Sequence, residues 1–224
     1  MSLARLGLVG DIHAEDRRLE AALAIFREHD VEQVLFVGDV VDGEGDVDRC
    51  CALLASAGAV GVRGNHDRWL LEDRMRTLPH AHSRAMLAPE SIALLSSLPI
   101  LREVETLAGT LLLCHGVGHN DMVRLSPRDD GYALETNDEL RRLLDERRHS
   151  LVVGGHTHER MVERYRANDL RLEGDASLVF VNAGALARAE VPCCAVLDLR
   201  AGRVSFFDLA DAEAPGELES RLLP

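Results

Sequence analysis

Five short polar clusters along the chain combine carboxylate, amide and imidazole side chains, and each cluster follows an apolar run. The clusters are GDIH at 10–13, GDVVD at 38–42, GNHD at 64–67, CHG at 114–116 and GGHTH at 154–158. Oxygen and nitrogen donors in this mixture coordinate divalent transition metals well. Two acids, one Asn and four His are too many ligands for a single tetrahedral zinc site. The set suits two metal ions that share one bridging carboxylate.

Each cluster taken alone also has an ordinary structural explanation. GDIH can be a turn that caps a helix, GNHD can be a turn built on its Asn, and His115 can be a half-buried histidine with satisfied hydrogen bonds. GHTH is more informative, because two His at positions i and i+2 of a loop can converge on neighbouring metal ions. The occurrence of all five clusters, each after a strand candidate, favours one shared site over coincidence.

The first half of the chain alternates apolar runs with amphipathic segments. Strands are predicted at 3–11, 32–39 and 59–65, and helices at 17–30 and 46–58. This order predicts parallel strands joined by right-handed crossover connections. Sites of open α/β sheets form beyond the carboxyl ends of the strands, so the polar residues that follow these strands should gather at one edge.

The second half of the chain is richer in short strands. Strand candidates lie at 109–116, 150–158, 177–184, 193–200 and 203–209, and a helix at 133–149 begins with a cap at Thr136 or Asn137. Residues 68–100 are predicted to be helical. We expect a single domain over residues 1–210, followed by an acidic, loosely held tail over residues 211–224.

The composition argues against several classes of function. The formal net charge of -13 opposes binding to a phosphate backbone, so nucleic acid is a poor candidate partner. No apolar run reaches the roughly 18 residues of a membrane span, and the N-terminal run is too short for a signal peptide. Five Cys without a framework spacing indicate reduced thiols. We therefore expect a cytoplasmic protein with no membrane segment, and the sequence leaves the oligomeric state open.

The five clusters, in this order, resemble the calcineurin-like metallophosphoesterase superfamily, whose pattern runs D-x-H, G-D-x-x-D, G-N-H-D/E, a lone His and G-H-x-H. The matching segments span residues 10–158. The later LVFVNAGALARAE at 178–190 resembles the final loop of the family, and LSSLPILREVE at 95–105 is typical of its compact bacterial phosphodiesterase-like branch. The resemblance implies an α/β (α+β) fold with two facing mixed β-sheets flanked by helices, an αββα sandwich.

The resemblance also implies a role for each matched residue. One metal ion would be held by Asp11, His13 and His158, the other by Asn65, His115 and His156, with Asp39 bridging both. His66 and Asp42 would form the catalytic pair, in which Asp42 orients His66 and helps to keep it protonated. Manganese is the first expectation for the two divalent metal ions, and Fe, Zn, Co and Ni are alternatives.

The activity implied is hydrolysis of a small phosphodiester or phosphomonoester. Two metal ions would bind phosphate oxygens and lower the pKa of a bridging water, and the resulting hydroxide would attack in line. His66 would then protonate the departing alkoxide, a contribution of about 10²–10⁴ in rate.

One departure from the family pattern bears on the substrate. The protein serine/threonine phosphatases carry an Arg after the second Asp of G-D-x-x-D, where this chain has Gly43. Arg63 and Arg68 are candidates for supplying positive charge, although surface arginines explain them equally well. The polar loop 117–132 is the least family-like stretch, and its candidates for substrate contact are His119, Asp121, Arg124 and Tyr132.

Four alternatives remain open at this point. A dinucleoside polyphosphate hydrolase or a protein phosphatase is disfavoured by Gly43, and a nuclease is disfavoured by the acidic balance. A non-catalytic scaffold with the same fold is expected to have lost metal ligands or the proton donor. Here all seven expected ligands and the His66–Asp42 pair are present, which favours an enzyme.

Overall fold

A computed structural model describes residues 2–187 and 191–224. The described residues form eleven strands: β1 (Arg5–Val9), β2 (Gln33–Phe36), β3 (Val60–Gly61), β4 (Arg102–Thr106), β5 (Gly109–Leu113), β6 (Leu151–Gly154), β7 (Arg160–Arg166), β8 (Ser177–Ala183), β9 (Cys193–Asp198), β10 (Arg203–Asp208) and β11 (Gly216–Leu222). Residues 188–190, the end of the loop compared with the family, lie outside the described part.

Six α-helices and two short 3-10 helices connect these strands within the described residues. The α-helices are α1 (Asp16–Glu28), α2 (Val47–Ser56), α3 (Asn65–Leu71), α4 (Pro89–Ser97), α5 (Gly131–Glu135) and α6 (Asp138–Glu146). The 3-10 helices are Arg84–Met86 and Ala167–Leu170.

The strands form two mixed sheets. The first has the order β11-β10-β9-β1-β2-β3, in which β1, β2 and β3 are parallel and β9, β10 and β11 run antiparallel to their neighbours. The second has the order β4-β5-β6-β8-β7, in which β5, β6 and β8 are parallel. The predicted parallel arrangement of the first three strands is therefore confirmed.

The two sheets face each other across an aliphatic core. Leu6 and Leu8 of β1 share one buried cluster with Leu111 and Val153 of the second sheet. On the outer face of the first sheet, α1, α2 and α4 bury their apolar stripes, and α6 covers the outer face of the second sheet. The helix–sheet–sheet–helix sandwich expected from the sequence is confirmed.

A glycine allows the close approach of α1 to the first sheet. A Cβ at Gly7 would lie 2.7 Å from the Phe26 ring, which is closer than real Cβ contacts. The ring of Phe26 is buried against β1, and this contact fixes the distance between α1 and the sheet. The loop between β1 and α1 therefore connects two elements that are tightly packed against each other.

Several elements differ from the sequence-based expectation. The predicted helix at 133–149 is two helices, α5 and α6, and Asn137 caps the second by accepting a hydrogen bond from the Leu140 N–H at 3.0 Å. The segment 68–100 is helical only in α3, Arg84–Met86 and α4. The expectation of a loosely held tail after 210 is corrected for residues 216–222, which pair with β10 as the edge strand β11. The domain limits of 1–210 and 211–224 stay a prediction.

Two further expectations concern the cysteine thiols and membrane-spanning segments. All five Cys are free and buried, and burial raises the pKa of Cys50 well above its ordinary value and that of Cys114 to about 12. Within residues 2–187 and 191–224, no helix combines the length and the apolar character needed to cross a bilayer.

Candidate metal centre

The five polar clusters lie at the carboxyl ends of parallel strands in both sheets. Asp11 and His13 follow β1, and Asp39 follows β2. The remaining clusters follow β3, β5 and β6 in the same way. Since the two sheets face each other, these five loops converge at one end of the sandwich, as expected for α/β folds.

The structure brings all nine predicted site residues together. Potential ligand atoms lie within 4.8 Å of one another in three groups: Asp11, His13 and His158; Asp39, His115 and His156; and His13, Asp39 and His66. Two further contacts complete the set. Asn65 Oδ1 lies 2.9 Å from His115 Nε2, and Asp42 Oδ2 lies 2.7 Å from His66 Nδ1.

Asp39 connects the two halves of the cluster. Its Oδ2 lies 3.4 Å from His115 Nε2 on one side and 3.9 Å from His13 Nε2 on the other. Its Oδ1 accepts a hydrogen bond from the His66 N–H at 2.8 Å. The carboxylate is thus held by the backbone of α3 while its second oxygen faces both histidines, which is the placement that a shared ligand requires.

Backbone carbonyls orient two of the imidazoles. His13 Nδ1 donates to the carbonyls of Val41 at 3.2 Å and Asp42 at 3.1 Å, and His115 Nδ1 donates to the carbonyl of Val37 at 2.8 Å. A carbonyl only accepts, so Nδ1 carries a proton, and in the neutral ring Nε2 is the nitrogen whose lone pair faces the centre. This outer hydrogen bonding is typical of metal-binding histidines.

His156 shows that the residues fit a metal ion. Its Nε2 is buried and has no hydrogen-bond partner among the described residues. Burial, aided by the neighbouring His115, lowers the pKa of His156 to about 4, so the ring is neutral at neutral pH. A buried, neutral and unpaired imidazole nitrogen is unfavourable unless a cation accepts its lone pair.

Two buried carboxyl groups supply negative charge that would balance the charge of a cation. Asp11 and Asp39 are fully buried side by side. Burial, with the nearby Asp11 carboxylate, raises the pKa of Asp39 to about 7, against the effect of His115. For Asp11, burial opposes ionisation, but the surrounding histidines outweigh it and lower the pKa. This cluster of Asp and His fits a divalent metal centre.

Local backbone conformation at the site is unusual. Five of the nine residues are non-glycine residues in the left-handed region, with φ between 46° and 68°: His13, Asp39, Asp42, His156 and His158. Such conformations cost about 1–3 kcal/mol each and persist where the surrounding structure fixes them. Their concentration in these loops indicates that the fold tolerates unfavourable backbone conformations in order to position these side chains.

His66 lies beside the centre as the second residue of α3. Its Nδ1 contacts Asp42, and its ring lies 4.9 Å from the His13 ring and 4.8 Å from the Trp69 ring, measured between centroids. Burial opposes ionisation of Asp42, but hydrogen bonds from His66, Arg76 and the His82 N–H outweigh it and lower the pKa to about 2. Asp42 is therefore an anion that can fix the His66 ring.

Asp67, the last residue of the GNHD cluster, holds two of the loops together. Its Oδ1 accepts from the Val40 N–H at 2.8 Å and the Val41 N–H at 3.3 Å, and its Oδ2 accepts from the Gly64 N–H at 3.0 Å. The carboxylate is completely buried. Asp67 thus fixes the position of the loop after β2 relative to the start of α3.

We expect Asp67→Ala to lower the free energy of unfolding by about 2–4 kcal/mol, because it leaves three buried N–H groups without an acceptor. Asp67→Asn keeps one acceptor oxygen and should lose less. Urea denaturation of the two variants and the parent protein measures this order. An alanine variant as stable as the parent protein would show that Asp67 does not hold these loops.

The other candidate residues are placed differently. Arg68 Nε and Nη2 donate to the Asp121 carboxylate at 2.6 and 3.0 Å, so these two candidates form an ion pair with each other. His119 contacts Glu139 and Arg142, whereas Tyr132 is 79% exposed. Arg63 is half-buried before Gly64. Arg124 is exposed, and its charge helps to lower the pKa of His156.

Two residues at the site have no signal in the sequence. Arg76 and His82 contact Asp42 from the segment between α3 and α4, 34 and 40 residues away along the chain. This segment has neither a motif nor a hydrophobic period. Only tertiary structure brings it to the site.

Comparison with known proteins adds a family and a set of similar folds. A model described as calcineurin-like phosphoesterase superfamily domain matches residues 4–202. A metallophosphoesterase structure from Sphaerobacter thermophilus has a TM-score of 0.66 at 20% identity, covering 98% of this chain and 89% of its own. None of the curated proteins matches the chain.

Two further structures share the fold. Yfce, a phosphoesterase from E. coli, has a TM-score of 0.56 at 17% identity, covering 98% of this chain and 100% of its own. An archaeal phosphodiesterase has a TM-score of 0.52 at 17% identity, covering 96% of this chain and 98% of its own. At these identities the likeness establishes the fold, whereas the substrate depends on the site itself.

Proposed function

The chain belongs to the calcineurin-like phosphoesterase superfamily, and from that premise we propose that it is a dinuclear metal-dependent phosphoesterase. Its substrate is a small phosphodiester or phosphomonoester. The observation that carries this proposal is the position of Asp39, which belongs to two of the three Asp and His groups and lies beside His66.

The proposed ligands divide into two sets around Asp39. Asp11, His13 and His158 would hold one metal ion, and Asn65, His115 and His156 would hold the other, with Asp39 as the shared residue. When bound, the two divalent ions supply positive charge for the phosphoryl oxygens and lower the pKa of water to provide the nucleophile. Manganese is our first candidate, although this N/O donor set does not by itself select one transition metal.

The chain contributes the proton for the leaving group. His66 Nδ1 is engaged by Asp42, so Nε2 is the nitrogen that can deliver a proton to the departing oxygen. Asp42 holds the ring in this tautomer through the 2.7 Å contact with Nδ1. The pair is adjacent to the cluster, since the His66 ring lies 4.9 Å from the His13 ring.

The environment of Gly43 favours a small ester over a phosphoprotein. A Cβ at this position would lie 1.8 Å from the His13 carbonyl oxygen, so the site has no room for the Arg that protein serine/threonine phosphatases carry there. Of the nearby arginines, Arg68 is paired with Asp121 and Arg76 with Asp42. A dinucleoside polyphosphate hydrolase remains the second enzyme candidate. The phosphates of its substrate would need positively charged groups other than Arg68 and Arg76.

A non-catalytic scaffold is less consistent with the geometry. A protein that only binds partners has no use for a neutral buried His156 nitrogen without a partner or for a proton donor held at 2.7 Å by a carboxylate. Such groups reduce stability and persist where function needs them. The cytoplasmic location stays a prediction.

We expect metal-stripped protein to be inactive and Mn²⁺ to restore hydrolysis of p-nitrophenyl phosphate, of bis-p-nitrophenyl phosphate, or of both. Measured side by side, greater activity on the diester would assign a phosphodiesterase, and greater activity on the monoester a phosphatase. Protein that binds Mn²⁺ but hydrolyses neither ester, nor a diadenosine polyphosphate, would reject the phosphoesterase proposal in favour of a scaffold.

A further inference from the structure

Four hydrogen bonds from residues in the described part of the chain reach the two carboxylate oxygens of Asp42. Oδ1 accepts from Arg76 Nη1 at 2.9 Å and from the His82 N–H at 2.9 Å. Oδ2 accepts from Arg76 Nη2 at 3.0 Å and contacts His66 Nδ1 at 2.7 Å. His66 therefore meets a carboxylate whose plane is already fixed by two other residues.

Arg76 is itself held on every nitrogen of its guanidinium. Nε donates to the Arg74 carbonyl at 2.6 Å, and Nη1 also donates to the His82 carbonyl at 2.6 Å. The side chain is 15% exposed, and Asp42 is completely buried. The planar fork of Arg matches a carboxylate with two parallel hydrogen bonds, which a Lys ammonium cannot do.

His82 completes this contact from the same segment. The Asp42 N–H donates to His82 Nδ1 at 3.1 Å, while the His82 N–H donates back to Asp42 Oδ1. Both the backbone and the side chain of Asp42 are thus tied to the segment 72–83. This matters because Asp42 adopts a left-handed backbone, with φ of 67°, and the terminal torsion of an Asp side chain is soft by itself.

We propose that Arg76 is a positioning residue for the reaction, which acts on the leaving group through Asp42 and His66. The inference rests on the proposed function and adds a residue outside the five clusters. Arg76 holds the Asp42 carboxylate in the plane that points His66 toward the departing oxygen. We assign it no contact with the phosphoryl group, because four of its five N–H donors are engaged within the protein.

This role predicts a dependence on the leaving group. A misdirected proton donor slows departure of a basic oxygen but matters little when the leaving group is a stable anion such as p-nitrophenolate. In Mn-loaded protein, Arg76→Met should lower kcat for a phenyl ester by about 10- to 100-fold, the usual cost of losing an outer hydrogen bond at a site. For the matching p-nitrophenyl ester we expect less than about a threefold change, with KM and Mn content unaltered.

Arg74→Met is the matched control. Arg74 lies two residues earlier in the same segment, its side chain is 64% exposed, and the substitution removes the same charge. Both esters should be hydrolysed by this variant at the parent rate. Arg76→Lys, which keeps the charge and loses the fork, should show the same selective loss as Arg76→Met and serves if the methionine variant does not fold.

A double-mutant cycle tests whether Arg76 acts through His66. In the His66→Ala background, Arg76→Met should cause no further loss on the phenyl ester, because the group it positions is absent. Equal losses on both esters, or additive losses in the double variant, would overturn the inference and leave the proposed function intact. A Mn-loaded parent protein that hydrolyses none of the esters and no diadenosine polyphosphate would overturn both.

Discussion

Asp39→Ala is expected to abolish binding of both metal ions and hydrolysis together. Asp39 Oδ2 lies between His115 and His13, so its removal takes a ligand from each proposed metal ion. Metal-ion stabilisation of phosphoryl charge is worth several kcal/mol, and each 1.4 kcal/mol is tenfold in rate. We expect a loss of roughly 10³-fold or more in kcat/KM, with Mn content near zero by elemental analysis.

Asp39→Asn separates this effect from a loss of folding. Asn keeps an acceptor for the His66 N–H and the shape of Asp, but it lacks the charge. Burial raises the pKa of Asp39 from its ordinary value of 3.8 to about 7 in the metal-free protein. Ionising this carboxyl therefore destabilises the metal-free fold progressively as the pH rises from about 4 to about 7. At pH 8 the metal-free Asn variant should be at least as stable as the metal-free parent protein.

Asp175→Ala is the surface control for both substitutions. Its side chain is fully exposed, so the substitution removes one negative charge far from any buried partner. Metal content and hydrolysis should equal those of the parent protein. Full Mn occupancy in the Asp39→Ala variant would show that Asp39 is not a shared ligand, and the dinuclear assignment would then fail.

The position of the site was predictable because its residues follow strands. In the parallel strands β1, β2 and β3, a polar cluster directly after each apolar run must lie at the same sheet edge. The same reasoning extends to His115 and His156 after β5 and β6. A strand end is a local signal that a single sequence carries, whereas the union of the clusters of both sheets in one site was implied by the resemblance to the family.

Edge strands were harder to predict for a physical reason. β11 has the sequence GELESRL and is largely exposed, so it lacks the alternating apolar pattern of a half-buried strand. β7, RMVERYR, buries Met161, Val162 and Tyr165 but carries charges between them. These strands gain their stability from pairing with a neighbour, and the sequence of one strand does not reveal its partner.

The contacts of Asp42 mark the limit of motif reasoning. The family pattern indicates the His66–Asp42 pair but contains nothing about Arg76 or His82. The segment 72–83 that carries them has three non-glycine residues in the left-handed region, Asp73, Met75 and His80, and no helix or strand. Its position depends on hydrogen bonds to Asp42 that form only in the folded chain.

His66→Ala is expected to keep both metal ions and lose most of the turnover of unactivated esters. His66 is absent from the two proposed ligand sets, and the Asp39 contact of this residue comes from its backbone N–H, which Ala retains. Loss of a general acid typically costs about 10²–10⁴ in rate. The fall should appear in kcat for a phenyl ester, whereas Mn content and the thermal unfolding temperature should stay close to those of the parent protein.

The size of the loss should follow the basicity of the leaving group. A p-nitrophenolate ion departs without help, so the His66→Ala variant should retain far more activity on p-nitrophenyl esters than on phenyl esters. His80→Ala is the matched control, since His80 is 53% exposed and its contact with Glu44 lies outside the cluster. If His66→Ala slowed both classes of ester equally, the residue would act on binding or on the metal ions instead of on the leaving group. Such a result would also remove the basis for the role assigned to Arg76, because both roles depend on the same proton.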